Sequence, residues 1–311
     1  MIRDYNDNDF KDLLEISKHI WDGQDYLPNF ITEYVDDPHC FPLVYEVDGQ
    51  VVAIANLKML NQEIAWLEAI RTHPDHRGKG IATKLTFGMF EKARSIGAKQ
   101  AWLLSSATNT SSQRVISKIG FEEYLKIKMF PDWPVMATNL ARLGISNPHI
   151  QKETNDANEE YQKIPTYKEL VESILDNKGM AFKDVFLRCE SIEILQTITT
   201  EIVKNGGYNL IIGEFVVYPP NSPYIAEMIK NGNIYYSSDP LGIISIQESK
   251  EIKKGFGIGV NVLDNVGLEY ALNFVLKNHS EKIFWMFFPQ KINHSKVIPG
   301  FHLQRVMKID L

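Results

Sequence analysis

The segment THPDHRGKGIATKL, residues 72–85, combines the residue types that hold a phosphate group. It follows an apolar stretch typical of a strand and leads into an amphipathic stretch typical of a helix. A helix N-terminus exposes unpaired N–H groups and the positive end of the helix dipole, so it attracts anions. Gly78 and Gly80 allow close approach of the backbone, while Arg77 and Lys79 add positive charge. The pattern favours a pyrophosphate site, and an ordinary solvated turn is the alternative.

The elements around this loop follow one another in a regular order. A short N-terminal strand and an amphipathic helix precede two β-rich runs, which flank Asp48-Gly49, a dipeptide typical of a tight hairpin turn. The strand Ile64–Thr72, the loop, a helix that stops at Gly97 and another strand come next. A short helix and a long strand close the series. This order predicts an α/β (α+β) fold with a mixed central sheet and flanking helices.

Length and charge limit the class of protein. The chain has 311 residues, 44% of them hydrophobic and 23% charged, and a net charge of −6. This length favours two domains, and the acidic balance argues against nucleic acid as a partner. The charged N-terminus is unlike a secretory signal, and the apolar runs are shorter than the roughly 18 to 20 residues of a membrane span, so no membrane contact is expected. Cys40 and Cys189 lie far apart, which favours free thiols in the cytoplasm.

The composition changes in the middle of the chain. Between Asp132 and Pro165, prolines bracket the polar segment QKETNDANEEYQ, which has no apolar period and is typical of a linker. We place a domain boundary near residue 150, which predicts domains at 1–150 and 151–311.

The loop and its flanking elements resemble the GNAT superfamily of N-acetyltransferases over residues 1 to about 130. The hallmark of that family is Arg/Gln-x-x-Gly-x-Gly/Ala between a strand and a helix, and Arg77, Gly80 and Ala82 fill it here. The resemblance implies a GNAT fold and acetyl-CoA as cosubstrate, with the pyrophosphate on the loop and the pantetheine along the preceding strand. The cofactor-binding residues implied in this way are Ile70, Arg71, Thr72, Arg77, Gly78, Lys79, Gly80, Ile81, Ala82 and Asn109.

Acetyl transfer needs a neutral amine, stabilisation of the oxyanion and a proton for the departing thiolate. Glu68 lies where the family often has its general base, with a water as relay, and a carboxylate on the solvent face of the strand is the alternative. A main-chain N–H near Ile70 would polarise the carbonyl. Many family members have a tyrosine acid seven residues after an asparagine, but Ile116 stands at that distance from Asn109. Tyr124, solvent or no acid remain open, and Asn109 either contacts the cofactor or caps the next helix.

The acceptor side rests on fewer residues. The stretch WDGQDYLPNFITEYV lies where the first two helices of the family form the acceptor wall, and DYLP is similar to the histidine N-acetyltransferase branch, whose substrate is a free amino acid. Asp25 would hold an ammonium group and Tyr26 would stack on a ring, with structural roles as the alternative. His19, His73 and His76 do not form a metal set, and at least two of them precede or flank charged loop residues and are interpreted as surface groups, so no metal is expected.

The C-terminal half repeats the order of elements, with Gly300-Phe301 in the place of Gly120-Phe121. We interpret it as a second, degenerate GNAT-like domain with a structural or substrate-shaping role. Its loop NVLDNVG has Asp264 in place of the arginine and no close glycine pair, so CoA is not expected there.

The resulting hypothesis is an acetyl-CoA-dependent N-acetyltransferase. Its acceptor would be the primary amine of a small molecule, with a free amino acid among the candidates, and the protein would be a monomer or a homodimer. A non-catalytic acyl-CoA-binding or interaction module is the alternative, and the missing tyrosine favours it.

Overall fold

The computed structural model describes residues 1–23, 25–130, 185–213, 215–248, 256–279, 284–289 and 302–311. The chain divides into two compact units, the first formed by Met1–Leu125 with Arg305–Leu311 and the second by Lys126–Gln304. Arg305–Leu311 therefore belong to the first unit, whereas the sequence interpretation assigned them to the C-terminal domain. The predicted boundary near residue 150 and the Gly300-Phe301 pair lie outside the described residues.

The first unit contains a mixed sheet with helices on both faces. Its elements in chain order are β1 (Ile2–Asp4), α1 (Phe10–Ser17), α2 (Leu27–Asp36), β2 (Cys40–Val47), β3 (Gln50–Met59), β4 (Ile64–Thr72), α3 (Ile81–Ile96), β5 (Gln100–Ser106), α4 (Thr110–Ile119) and the start of β6 (Glu122–Phe130). Strands β1 to β5 are neighbours in chain order, antiparallel except for β4 and β5, which are parallel. The predicted mixed sheet with flanking helices is confirmed.

Two cores lie on opposite faces of this sheet. Alternate strand residues point to opposite faces, so each strand contributes to both cores. Leu57 and Leu67 pack in the core that includes α3 and α4. Ile54 and Ala69 pack in the core that includes α1 and α2. The candidate acceptor residues lie on the face that α1 and α2 cover.

Local turn chemistry sets several element boundaries. Asp48 and Gly49 join β2 to β3 and have positive φ angles of 50° and 81°, as the hairpin prediction requires. Helix α3 ends at Gly97, whose φ is 106° and whose N–H donates to the carbonyls of Ala93 and Arg94. Both predicted boundaries are confirmed.

The strands of the second unit pair both parallel and antiparallel. After the last residues of β6, its elements are β7 (Leu187–Arg188), α5 (Ile192–Lys204), β8 (Ile211–Ile212), β9 (Val217–Tyr218), α6 (Pro223–Lys230), β10 (Ile234–Ser238), β11 (Leu241–Glu248), β12 (Phe256–Val262), α7 (Asn265–His279) and β13 (Phe284–Pro289). Strands β10, β11 and β12 pair antiparallel in that order, β12 and β13 are parallel, and β13 pairs with the end of β6. A separate small sheet joins β8 to β9.

The last strand, β14 (His302–Asp310), contributes its final residues to the first unit. Met307, Ile309 and Leu311 join the core that includes α3 and α4. The Leu311 N–H donates to the Lys99 carbonyl over 2.8 Å. The chain end thus fills a strand position beside β5.

Among the helices of the described ranges, none combines the length and the apolar character needed to cross a membrane.

Candidate active site

The glycine loop leaves the N-terminus of α3 open. Gly78 and Gly80 both have a φ of 74°, and a Cβ at either position would have no atom within 4 Å. Gly80 is the N-cap residue, and no side chain in the described part of the chain caps the helix there. Arg77 and Lys79 are exposed beside the glycines. Free N–H groups, positive charge and empty space therefore coincide at this helix end.

Strands β4 and β5 separate next to this loop. Their parallel ladder joins Ile64–Leu67 to Gln100–Leu103 and ends there. Residues 68–72 of β4 thus extend beyond the last described pair with β5, although Glu68, Arg71 and Thr72 remain paired with β3 on the other side. An extended ligand could add main-chain hydrogen bonds along this part of β4, as peptides do at exposed strand edges. Ile70, Arg71 and Thr72, predicted to contact the cofactor, lie in this segment.

A β-bulge interrupts β4 just after Glu68. The register with β3 shifts, because Asn56 opposes Glu68 while Ile54 opposes Arg71. Ala69, inside the bulge, has a φ of 54°, a value uncommon for a residue with a side chain. A bulge takes main-chain groups out of the regular ladder. The proposed use of an N–H near Ile70 requires such a group.

Glu68 lies on the sheet face that α1 and α2 cover. Its cross-strand partner Asn56 donates from Nδ2 to Glu68 Oε1 over 2.9 Å. Asn56 also contacts the sulfur of Cys40 at 3.6 Å. Glu68 is half-buried, and Ile54, two residues from Asn56, packs in the core beneath these helices. The carboxylate is thus held on the covered face and does not lie on an open solvent face.

Two buried side chains with a dissociable proton, Tyr34 and Cys40, interact electrostatically with Glu68. Burial, together with the negative charge of Glu68, holds the pKa of the Tyr34 phenol above its usual range. Burial raises the pKa of the Cys40 thiol to about 12. Both groups are therefore neutral near pH 7.

Asp25 is engaged by Arg71. The Arg71 Nε and Nη2 atoms each lie 3.1 Å from a different Asp25 oxygen, and the Asp25 side chain is fully buried. Ser17 Oγ and the Leu27 N–H also donate to this carboxylate. Burial opposes the charge on Arg71, but Tyr26 and Asp25 outweigh it and raise the pKa of the guanidinium. An acceptor ammonium at Asp25 would have to compete with this ion pair.

Tyr26 lies in an aromatic group around the same guanidinium. The Arg71 guanidinium carbon lies 5.5 Å from the Tyr26 ring centre and 4.8 Å from that of Trp21. Tyr26 itself is half-buried and stacks on Trp21, with 6.0 Å between ring centres. The structure thus brings Asp25, Tyr26 and Arg71 together, and the sequence had assigned them to two different ligands.

Asn109 caps α4. Its Oδ1 accepts from the Ser112 N–H over 3.1 Å and from the Ser111 hydroxyl over 2.8 Å. This geometry corresponds to the structural alternative for Asn109. Ile116, which stands where many family members have tyrosine, is buried in the core with α3. Tyr124 packs against Trp102 with ring centres 5.1 Å apart.

A group of possible metal ligands lies near the start of the glycine loop. Glu15, His19 and His73 present ligand atoms within 4.8 Å of one another. Sequence reasoning considered His19, His73 and His76 together and missed this set, because Glu15 lies in α1, His19 follows that helix and His73 follows β4. Lys18 hydrogen-bonds to Glu15 and lowers the pKa of its carboxyl. Glu15 is thus already paired with a cation.

Sequence reasoning did not identify Asn56, Tyr34 or Cys40 as neighbours of Glu68. A usable signal existed for Asn56, which is an amide inside the apolar strand VVAIANL. A polar side chain in such a buried run needs a partner or a function. Tyr34 and Cys40 carry no comparable signal, because aromatic residues and cysteines are common in cores.

Comparisons with known proteins identify similar sequences and a similar fold. Residues 8–121 match the acetyltransferase (GNAT) family. A histidine N-acetyltransferase from Oreochromis niloticus is 30% identical over 77 residues, which cover 24% of this chain and 23% of that protein. A probable N-acetyltransferase 16 from Homo sapiens is 31% identical over 77 residues, covering 24% of this chain and 21% of that protein. The chain thus matches less than a quarter of the length of these curated relatives.

A solved structure extends the similarity of fold to nearly the whole chain. It is the crystal structure of an acetyltransferase candidate from Thermoplasma acidophilum, 13% identical, with a TM-score of 0.53, covering 97% of this chain and 88% of that one. At this identity the likeness concerns the fold. The family match lies in residues 8–121, which contain the open helix end and form a GNAT acetyltransferase domain.

Proposed function

We propose that the protein is an acetyl-CoA-dependent N-acetyltransferase that acts on the primary amine of a small molecule. The observation that carries this proposal is the coincidence of an open, glycine-capped helix end with the separation of β4 from β5. The helix end suits the pyrophosphate of CoA. The freed edge of β4 suits the amide groups of its pantetheine arm, which extend from the pyrophosphate.

In this proposal the two ends of the exposed β4 segment have different roles. Ile70, Arg71 and Thr72 pair through their main chains with the pantetheine, which brings the thioester to the bulge. A main-chain N–H at the bulge then stabilises the oxyanion that forms when the carbonyl is attacked. Arg77, Gly78, Lys79, Gly80, Ile81 and Ala82 hold the phosphates. Asn109 supports the site indirectly by capping α4.

Glu68 is the general base of the proposed reaction. It lies next to the bulge on the face that α1 and α2 cover, so the acceptor would approach from that side. The carboxylate takes a proton from the amine directly or through one water. Because Ile116 is apolar and buried, the thiolate receives its proton from solvent or from another group, and we assign no general acid.

A free amino acid is the acceptor class that we consider first. The relatives named histidine N-acetyltransferase support this choice, although they match over a limited region. In place of a direct ammonium contact, we propose that Asp25 acts by fixing Arg71, and that Tyr26 lines the acceptor side.

We also propose that the second unit is a degenerate GNAT-like domain without a cofactor. Support comes from the order of its elements, since β12, α7 and β13 repeat the arrangement of β4, α3 and β5, including a parallel strand pair. The alternative function, a non-catalytic acyl-CoA-binding or interaction module, is favoured by the absent tyrosine. The assay below distinguishes it from the proposed enzyme.

The test is incubation of the full chain with acetyl-CoA and a panel of amino acids, amines and peptides, with detection of free thiol and the mass of the product. Acetylated product and equimolar thiol with an amino acid or another small amine are expected. CoA binding without thiol release from any acceptor would favour the non-catalytic alternative.

A further inference from the structure

Asn56 holds Glu68 with one end of its amide and leaves the other end without a partner. The residue is 1% exposed, in the middle of β3. Its Nδ2 donates to Glu68 Oε1 over 2.9 Å. Its Oδ1 is buried and accepts no hydrogen bond from any described residue. The NH₂ end of the amide thus faces Glu68, and the carbonyl oxygen is the end without a partner.

Packing does not explain this amide. Residues on either side of it in β3 are buried and mostly apolar, and a leucine-sized side chain would fill a similar volume without an unsatisfied oxygen. A buried carbonyl without a partner is unfavourable, and in native proteins such groups are few. The arrangement is favourable if a ligand supplies the missing N–H group.

The position of the oxygen indicates which ligand that is. Asn56 and Glu68 are cross-strand partners, so their side chains lie side by side on the same face. The two ends of one amide are close together, so Oδ1 lies near the Glu68 carboxylate. A group that approaches Glu68 to lose a proton also comes within reach of this oxygen. The bulge at Ala69 follows directly in β4.

We propose that Asn56 binds the acceptor nitrogen and restricts the enzyme to primary amines. This inference rests on the proposed acetyl transfer. The neutral amine donates one N–H to Asn56 Oδ1, which orients its lone pair toward the thioester carbonyl carbon. The Asn56 NH₂ group meanwhile fixes Glu68 for the second N–H. One side chain thus aligns both the nucleophile and its base.

The step balances in atoms and electrons. The amine lone pair forms the C–N bond and gives a tetrahedral oxyanion with a cationic nitrogen. Glu68 takes one proton from that nitrogen, directly or through a water. The oxyanion then re-forms the carbonyl, the C–S bond breaks with its electron pair on sulfur, and the CoA thiolate takes a proton from solvent. Glu68 later releases its proton to solvent. The amide product keeps its remaining N–H on Asn56 Oδ1.

A secondary amine cannot make both contacts. Its neutral form has a single N–H, which must be directed to Glu68 and lost, so Asn56 Oδ1 has no donor during and after the proton transfer. A site with an unmatched buried polar group discriminates against such an analogue. We expect the wild-type chain to prefer L-histidine over Nα-methyl-L-histidine by roughly 10- to 100-fold in kcat/KM, the effect of leaving one buried acceptor without a donor.

The test measures, in variants of Asn56, the ratio of kcat/KM for L-histidine to kcat/KM for Nα-methyl-L-histidine. Asn56→Leu removes both ends of the amide. The kcat/KM preference for L-histidine should then fall to within a few-fold of the preference that steric hindrance by the methyl group alone causes, while the affinity for CoA stays unchanged. Asn56→Asp retains an oxygen but loses the donor to Glu68, so both rates should fall and the preference for the primary amine should persist. This pair of variants separates the two functions of the amide.

Asn261 offers a matched control in the second unit. It is also 1% exposed with an unpartnered Oδ1 among the described residues, but its Nδ2 donates to the carbonyls of Tyr208 and Leu210. Asn261→Leu should lower the melting temperature without changing the amine preference. An unchanged preference in a folded, active Asn56→Leu variant would overturn the inference alone. Absence of acetylation of every amine by the wild-type chain would overturn the proposed function and this inference with it.

Discussion

Gly80→Glu gives a direct test of the phosphate site, because the chain provides a closely matched control. Gly80 has a φ of 74° and Gly49 a φ of 81°, and an added Cβ meets no atom within 4 Å at either position. The left-handed backbone should therefore cost each variant a similar amount, about 1 to 2 kcal/mol. Gly49 lies in the hairpin between β2 and β3, away from the N-terminus of α3.

The charge should act only at Gly80. A carboxylate about 5 Å from one phosphate charge, at an effective dielectric constant of about 20, is opposed by about 3 kcal/mol, which corresponds to a loss of roughly a hundredfold in affinity. Calorimetric titration with CoA should show this loss in Gly80→Glu and nearly wild-type affinity in Gly49→Glu. Because the loop is exposed, 1 M salt should restore much of the binding. Equal CoA affinities in the two variants would refute the assignment of this loop.

Four further results are expected. Glu68→Gln should bind CoA normally but turn over roughly a hundredfold more slowly at neutral pH, with a rate that rises at high pH as the amine deprotonates in solution; an unchanged pH-rate profile would argue against a general base. Asp25→Asn should leave the buried charge of Arg71 unpaired and lower the free energy of unfolding in urea by about 3 to 5 kcal/mol, and a loss under 1 kcal/mol would contradict the importance of this pair. Because burial raises the pKa of Cys40 from 9.0 to about 12, the unfolded thiol ionises first and stability should decline between these values; Cys40→Ala should flatten that part of the pH-stability curve, and an equally steep curve would show that this thiol does not cause the decline. Deletion of Arg305–Leu311 should destabilise the first unit and abolish CoA binding, and a shortened chain with a wild-type melting curve would refute the place of this strand in the core.

The features predicted well from sequence are those that depend on neighbouring residues. Strand β4 has the predicted bounds, Ile64–Thr72, because its apolar run and the following loop define both ends. Gly97 ends α3 because the left-handed conformation that follows a helix favours glycine. Gly78 and Gly80 have positive φ angles, which glycine adopts readily, while their role in a close backbone approach to a ligand stays a prediction.

The contacts around Glu68 depend on strand register and could not be obtained in this way. Asn56 meets Glu68 only because the pairing of β3 with β4 is fixed by a hairpin and then shifted by a bulge. Asp25 and Arg71 are 46 positions apart in sequence, and the sequence assigned one to the acceptor and the other to the cofactor. Arg305–Leu311 join the first unit from the far end of the chain, which no local pattern indicates.

A comparison of the two parallel strand pairs supports the division of roles between the units. In the first unit the ladder between β4 and β5 ends at Leu67, and the next residue, Glu68, faces Asn56. In the second unit the ladder between β12 and β13 ends at Gly259, and the next residue, Val260, faces Ile244. An apolar, fully buried pair thus replaces the amide and the carboxylate at the same point of the topology.

The N-termini of α3 and α7 also differ between the two units. The N-terminus of α3 begins at Gly80 without a side-chain cap from the described residues, whereas Asp264 Oδ1 accepts from the Gly267 N–H at the start of α7 over 2.9 Å. A carboxylate there satisfies an N–H group and neutralises the positive end of the dipole, which would otherwise attract a phosphate. The space beside Gly259 is also taken, because an added Cβ would lie 1.5 Å from the Ile212 carbonyl oxygen. In the second unit, residues of the chain itself cap the helix N-terminus and fill the space beside the strand. In the first unit, we propose that acetyl-CoA and an amine occupy the corresponding places.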